Sequence, residues 1–166
     1  MATFIALPIL GILLILQSAI VSRIPLLHGT ADLVLLAIIA WALQKRVATA
    51  WQWSIIGGLL VTIVSALPLG AALIGYPLAV TFALILRQRV WQVPILAMFI
   101  STFVGTLVMH TITLIALRMV GTTLPLREAL NLITLPSVLL NLLLAIPVYA
   151  LIGDLANWLY PEELEV

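Results

Sequence analysis

The chain has 166 residues, of which 64% are hydrophobic and 8% are charged, and its formal net charge is +1. Soluble domains are about 45–50% apolar and about 25% charged, so this composition excludes a water-soluble globular domain. The near-neutral charge also excludes a strongly basic nucleic-acid-binding surface. Because the chain has no cysteine, disulfides, thiol nucleophiles and Cys-ligated metals are excluded as well.

Long runs that are apolar on every side dominate the chain. A bilayer crossing needs about 20 helical residues, and a helix satisfies its own backbone groups in lipid. The alternation expected of barrel strands is missing from runs such as Leu33 to Ala42. The sequence therefore predicts a single all-α integral membrane domain over residues 1–166. Its six predicted transmembrane helices are 4–21, 33–43, 51–67, 71–86, 93–117 and 129–152.

The first three spans offer few polar candidates. We interpret the first span as a retained helix rather than a signal peptide, because the first basic residue is Arg23. Asp32 opens the second span, where a carboxylate meets the positive end of the helix dipole and can act as an N-cap. Alternatively, Asp32 could pair with Arg23 or bind a cation. Pro68 and Gly70 are predicted to form the turn after the third span.

The fourth and fifth spans contain small residues and one histidine. Gly75 and Gly105 each follow another small residue by four positions, a spacing that lets helices approach closely. His110 lies well inside the fifth span, where an ionisable group suggests function. A proton relay needs a second titratable group, and no other span has one at its centre. We therefore expect a neutral imidazole that forms a hydrogen bond to a neighbouring helix.

The sixth span carries Asn141 and Pro147. We expect the Asn141 amide to bond across helices, with contact to a polar ligand as the alternative. The sequence has no His-Glu-x-x-His, no Gly-x-Ser-x-Gly and no phosphate-binding loop. It therefore predicts a non-enzymatic protein without a cofactor or a metal.

Basic and aromatic residues indicate the topology. With the N-terminus in the cytoplasm, four basic residues fall in inner loops and three in outer loops, which favours two cytoplasmic termini. The inner set is Lys45, Arg46, Arg87 and Arg89, and the outer set is Arg23, Arg118 and Arg127. Aromatic residues near the span ends are predicted to be interfacial. They are Trp41, Trp51, Trp53, Trp91, Trp158 and Tyr160.

Several short motifs together resemble one known family. Asp32-Leu33-Val34-Leu35-Leu36 opens the second span, and Gly58-Leu59-Leu60 precedes Pro68-Leu69-Gly70. The last span reads Pro136-x(4)-Asn141-x(5)-Pro147-x-Tyr149. In order and spacing these segments resemble the rod-shape-determining MreD family. Two positions depart from its pattern: Thr62 stands where the family often has an acid, and Ala31 precedes Asp32 in place of proline.

This resemblance implies a scaffold of the cell-elongation machinery in the bacterial cytoplasmic membrane. Such proteins bind the membrane-anchored protein MreC, and through it connect to MreB, RodA and a penicillin-binding transpeptidase, which supports rod shape and lateral peptidoglycan synthesis. The resemblance also implies the fold of the S components of energy-coupling-factor transporters. An S component that captures a vitamin is the alternative, although polar residues inside the spans are few. We expect the partner to meet the lipid-exposed region of spans one, two and six, and substitution of Gly75 or Gly105 tests that contact.

Overall fold

The computed structural model describes residues 2–19, 28–65, 70–89, 93–122 and 125–161. These residues form helices and no strand, which confirms the all-α prediction. Each helix overlaps one predicted span, and the largest difference is at the end of the last helix, which continues to Leu159. The helices are α1 (Ala2–Ala19), α2 (Leu33–Leu43), α3 (Ala50–Val64), α4 (Ala71–Arg89), α5 (Pro94–Met119) and α6 (Leu126–Leu159).

Three helices are long and apolar enough to cross a membrane, namely α4, α5 and α6. The other three are apolar but shorter. With 11 residues, α2 is about 17 Å long, against about 30 Å for a hydrocarbon core. Large apolar side chains are exposed on the outside of the bundle, for example Phe4, Ile63 and Leu143. Such a surface suits lipid rather than water.

The short helix α2 lies at the centre of the bundle. All of its residues are buried, and it contacts α1, α3, α4, α5 and α6. A helix that is apolar on every side is covered either by lipid or by neighbouring helices, and here neighbouring helices cover all of α2. Because α2 has no exposed face, it cannot contribute to a surface for a membrane partner. The expectation that the second span helps to form that surface is therefore wrong.

Two glycines explain how closely α5 approaches its neighbours. A Cβ placed on Gly75 of α4 would lie 2.5 Å from Met109 Sδ of α5. A Cβ on Gly105 of α5 would lie 2.8 Å from Ile39 Cδ1 of α2 and 3.2 Å from Ala79 Cβ of α4. Both glycines therefore serve close packing within the chain. They are not on the lipid-exposed surface, so their substitution does not test contact with a partner.

The beginning of α6 is irregular because of a proline. Residues Ala129–Thr134 form a π-helical segment immediately before Leu135 and Pro136. Proline lacks an N–H, and its ring clashes with the carbonyl four residues earlier, here that of Leu132. The wider π turn relieves this clash. The free Leu132 carbonyl accepts a hydrogen bond from the backbone N–H of His28 at 3.1 Å.

Aromatic and basic residues meet at the opposite end of the bundle from Asp32. The rings of Trp41 and Trp53 stack with centroids 4.2 Å apart, and both side chains are fully buried. These two rings therefore pack inside the bundle near its end, whereas Trp51 and Trp158 are exposed. Arg87 Nη1 donates to the carbonyls of Gln44 at 2.8 Å and Val47 at 3.2 Å, which fixes the segment between α2 and α3.

Candidate functional site

Asp32 anchors a polar network at the N-terminus of α2. Its Oδ1 accepts a hydrogen bond from the backbone N–H of Leu35 at 2.9 Å, so Asp32 is the N-cap of α2. This confirms the capping role predicted from the sequence. A carboxylate at this position also interacts favourably with the helix dipole. The proposed pairing with Arg23 lies outside the described residues.

Tyr76 of α4 is the second member of this network. Its hydroxyl donates to Asp32 Oδ2 at 2.8 Å and lies 3.1 Å from Asp32 Oδ1, and its ring is fully buried. Hydrogen bonds to an ionised carboxylate are stronger than bonds between neutral groups. Sequence reasoning missed this residue, since nothing in the local sequence connects a tyrosine beside Pro77 to an aspartate 44 positions earlier.

Asn141 of α6 connects the network to α5. Its Oδ1 accepts from the backbone N–H of Asp32 at 2.8 Å, and its Nδ2 donates to Thr106 Oγ1 at 2.8 Å. The Thr106 hydroxyl in turn donates to the carbonyl of Thr102 at 2.7 Å. The hydrogen bonds across helices predicted for Asn141 are therefore present. One amide holds the N-terminus of α2 between α5 and α6.

The loop before Asp32 is held against α6 at three adjacent points. His28 bonds to the Leu132 carbonyl, and the Thr30 backbone N–H donates to Ser137 Oγ at 3.0 Å. Between them, a Cβ on Gly29 would lie 2.5 Å from Pro136 Cβ and 2.7 Å from the backbone nitrogen of Ser137. Only glycine fits this gap without moving the backbone of α6. The loop thus sets the position at which α2 begins.

His110 lies near this network but is not bonded to it. Its Nδ1 is 3.2 Å from Thr134 Oγ1 in the π-helical segment of α6. The hydrogen bond to a neighbouring helix that the sequence predicts is present, and its partner is Thr134. Within the described part of the chain, no three His, Asp or Glu side chains come close enough to hold a metal ion.

A cavity of about 520 Å³ opens at the Asp32 end of the bundle, between α1, α3, α5 and α6. Its walls combine apolar side chains with polar groups that are far apart in the sequence. Gln17 is fixed there, because its Oε1 lies 3.4 Å from the backbone nitrogen of Val34. Sequence reasoning missed the cavity because it counted only polar residues near the middle of spans. The polar lining is Gln17, Ser18, Thr30, Asp32, Ser65, His110, Thr111, Thr113 and Thr134.

The remaining predicted residues lie apart from this site. Gly70 adopts φ +94° directly before α4, a left-handed conformation that favours glycine, in agreement with the predicted turn. Pro68 lies outside the described residues. Pro147 lies inside α6 with its side chain exposed. Gly75 and Gly105 pack helices against each other, as described above. Within the part of the chain that the structure describes, Thr62 bonds only to the Gly58 carbonyl of its own helix.

A second cavity, of about 530 Å³, lies at the opposite end of the bundle. Lys45, Arg46 and Arg87 line it together with Gln44 and Tyr149. Arg46 Nη1 also donates to the carbonyl of Tyr160 at 3.1 Å, so the end of α6 lies at this same end. Three of the four cations predicted to face the cytoplasm are therefore gathered there.

The chain matches no protein-family model, and neither a curated protein nor a solved structure is significantly similar to it. The network and the two cavities are therefore the observations from which a function is argued.

Proposed function

We propose that this chain is a non-enzymatic scaffold of the MreD type, which binds a single-span MreC-like protein in the bacterial cytoplasmic membrane. One observation carries the proposal. The residues on which the family resemblance depends, at the start of the second span and in the last span, form one structural unit. Asn141 bonds to the backbone of Asp32 at 2.8 Å, although 109 positions separate them.

This contact gives the separate motifs a common role. Pro136 frees the Leu132 carbonyl that holds His28, and its ring faces the gap that only Gly29 fits. Asn141 then fixes Asp32, the N-cap residue of α2. Short motifs of common membrane residues often match by chance. Motifs whose residues bond to each other across the bundle support the resemblance more strongly than the same motifs would if they lay apart.

The proposed topology has six crossings and both termini in the cytoplasm, with an S-component-like fold. Gln17, near the end of α1, contacts the start of α2, so the N-terminus of α1 lies at the opposite end of the bundle. That end also holds Arg46 bonded to the carbonyl of Tyr160. The N-terminus of α1 and the C-terminus of α6 therefore lie beside the cations Lys45, Arg46 and Arg87, in agreement with the positive-inside rule.

The proposed scaffold binds its partner through a lipid-exposed helix face by shape and dispersion contacts. Since α2 is buried, we limit this face to the exposed sides of the first and last helices. Leu7 and Ile12 are exposed on α1, and Leu143 and Leu151 on α6. None of these side chains fills a position inside the bundle, so each can be enlarged without disturbing the core.

Co-purification from the native membrane in a gentle detergent, followed by mass spectrometry, tests this proposal. We expect the tagged chain to recover an MreC-like anchor protein. Leu7→Trp and Leu143→Trp should lower its yield, whereas the control Ile63→Trp on the exposed face of α3 should not. Recovery of an ATPase with a coupling membrane subunit, and no anchor protein, would contradict the scaffold.

The cavity beside Asp32 favours a second candidate, an S component that captures a small molecule. Its volume of about 520 Å³ falls within the range of ordinary ligand sites. More polar side chains line it than the sequence analysis expected. The same co-purification separates the two candidates, because a capture protein requires an energising module and a scaffold does not.

A further inference from the structure

We propose that the cavity at the Asp32 end binds an amphipathic molecule with an ammonium group, and that Asp32 is its counter-ion. The site requires neither the scaffold nor the transport function. It follows from one carboxylate, the groups that hold it and the walls around it.

The carboxylate is held firmly, but by neutral donors. Leu35 N–H and the Tyr76 hydroxyl fix both oxygens. Among the described residues, no Lys, Arg or His bonds to this carboxylate. Neutral donors orient a carboxylate and stabilise its charge, yet the charge itself remains in a low-dielectric setting. An ionised group inside a membrane protein usually has an ionic partner or faces a pathway. A ligand cation supplies that partner.

The cavity walls define the rest of the ligand. Apolar side chains from four helices line it, including Leu14, Val61, Leu107, Leu114 and Ile133. An inorganic cation would bring a shell of water and leave these walls uncovered. An organic ammonium group with an apolar body satisfies both the carboxylate and the walls. The volume of about 520 Å³ accommodates a small organic molecule or a lipid headgroup with the first part of its chains.

Two further polar side chains suit a ligand with neutral polar groups beside the ammonium. The Oε1 of Gln17 accepts from Val34, which leaves its amide donors available. His110 is the other titratable residue of the wall, and its Nδ1 is engaged by Thr134. Among the described residues that line this cavity, Asp32 is the single acid. Removal of its charge should therefore weaken the binding of cations and leave the binding of neutral ligands unchanged.

The ammonium could belong to a phosphatidylethanolamine headgroup or to a free amphipathic amine. We would measure binding of 2-phenylethylammonium to the purified full chain, beside the neutral 3-phenylpropanol and the anionic 3-phenylpropanoate. In parallel, native mass spectrometry from mixed nanodiscs would compare retention of phosphatidylethanolamine with that of phosphatidylcholine, whose quaternary headgroup donates no hydrogen bond. Retention of phosphatidylethanolamine identifies a lipid source, and binding of the soluble probe identifies a free amine. Either result supports the site.

The decisive variant is Asp32→Asn, because asparagine is also a good N-cap and preserves the shape of the side chain. We expect it to weaken binding of the ammonium ligand by at least about tenfold, as expected for loss of a charge-assisted hydrogen bond in a dehydrated site. Asp154→Asn removes an exposed acid of α6, outside the cavity, and should leave binding unchanged. Size-exclusion profiles and circular dichroism establish that both variants are folded.

Three results would overturn the proposal. One is ammonium binding that is equally tight in wild type and in Asp32→Asn. Another is equal binding of the alcohol and the ammonium probe. The third is ammonium binding that appears only after Arg23→Ala, which would show that the chain supplies its own counter-ion.

Discussion

Replacement of Asn141 by leucine tests whether one amide holds the centre of the bundle. The side chain is 1% exposed and has two bonds, each of 2.8 Å. Leucine has a similar size, so the change removes hydrogen bonds without opening a large cavity. The backbone N–H of Asp32 loses its acceptor, which costs about 1–3 kcal/mol for a buried donor. Thr106 keeps its bond to the Thr102 carbonyl, so the loss on that side is about 0.6 kcal/mol.

We therefore expect Asn141→Leu to lower the free energy of unfolding by about 1.6–3.6 kcal/mol. Titration with a denaturing detergent measures it, and the buried Trp41–Trp53 stack provides a fluorescence signal. Thr106→Val completes a double-mutant cycle. It should cost about 1–3 kcal/mol in the wild type, because the buried Asn141 Nδ2 loses its acceptor, and much less once Asn141 is replaced. Leu143→Ala, 73% exposed on the same helix, controls for a change on the lipid side. An equal cost of Thr106→Val in both backgrounds would refute the network.

Three further predictions concern separate contacts. Gly29→Ala should lower stability by about 1–3 kcal/mol, because its Cβ would overlap the backbone of α6; Gly11→Ala, whose Cβ meets nothing within 4 Å, should be neutral or stabilising. Tyr76→Phe should lower the free energy of unfolding by about 1.5–3 kcal/mol with Asp32 present, and by clearly less in the Asp32→Asn background. Equal losses in the two backgrounds would exclude a hydrogen bond to the charged carboxylate. Arg87→Gln should speed hydrogen exchange in residues 44–49 by freeing two carbonyls, whereas Arg89→Gln, an equal loss of charge, should not.

Local patterns in the sequence predicted much of the framework. A run apolar on every side, as in α2, predicts a helix wherever the solvent is lipid. An acid before such a run predicts an N-cap, and Asp32 is one. Each of the six predicted segments overlaps a helix of the described residues, because helix formation depends on residues close together in the chain. The π-helical segment at Ala129–Thr134 is an exception, since its form depends on both Pro136 and the loop that binds the Leu132 carbonyl.

The site itself depends on contacts between distant residues, and there the sequence was a poorer guide. Tyr76 meets Asp32 because α4 packs beside α2, and no pattern in α4 records that neighbour. Trp41 and Trp53 lie near helix ends, as interfacial aromatics do, yet they stack inside the bundle. Gly75 and Gly105 have the spacing of a helix interface, but spacing does not distinguish a neighbour in the same chain from a partner.

The cavity lies beside the network because α2 is short. Because α2 begins only at Leu33, the space beyond its N-terminus is lined by α1, α3, α5 and α6. A ligand that binds only the folded chain stabilises it by about 2.7 kcal/mol at 100 times its Kd. That gain is comparable to the loss expected from Asn141→Leu. Saturating 2-phenylethylammonium should therefore raise the free energy of unfolding of the wild type and of Gly11→Ala by this amount. At the same concentration, a tenfold weaker Kd limits the rise in Asp32→Asn to about 1.4 kcal/mol, and an equal rise in that variant would show that the amine binds elsewhere on the protein.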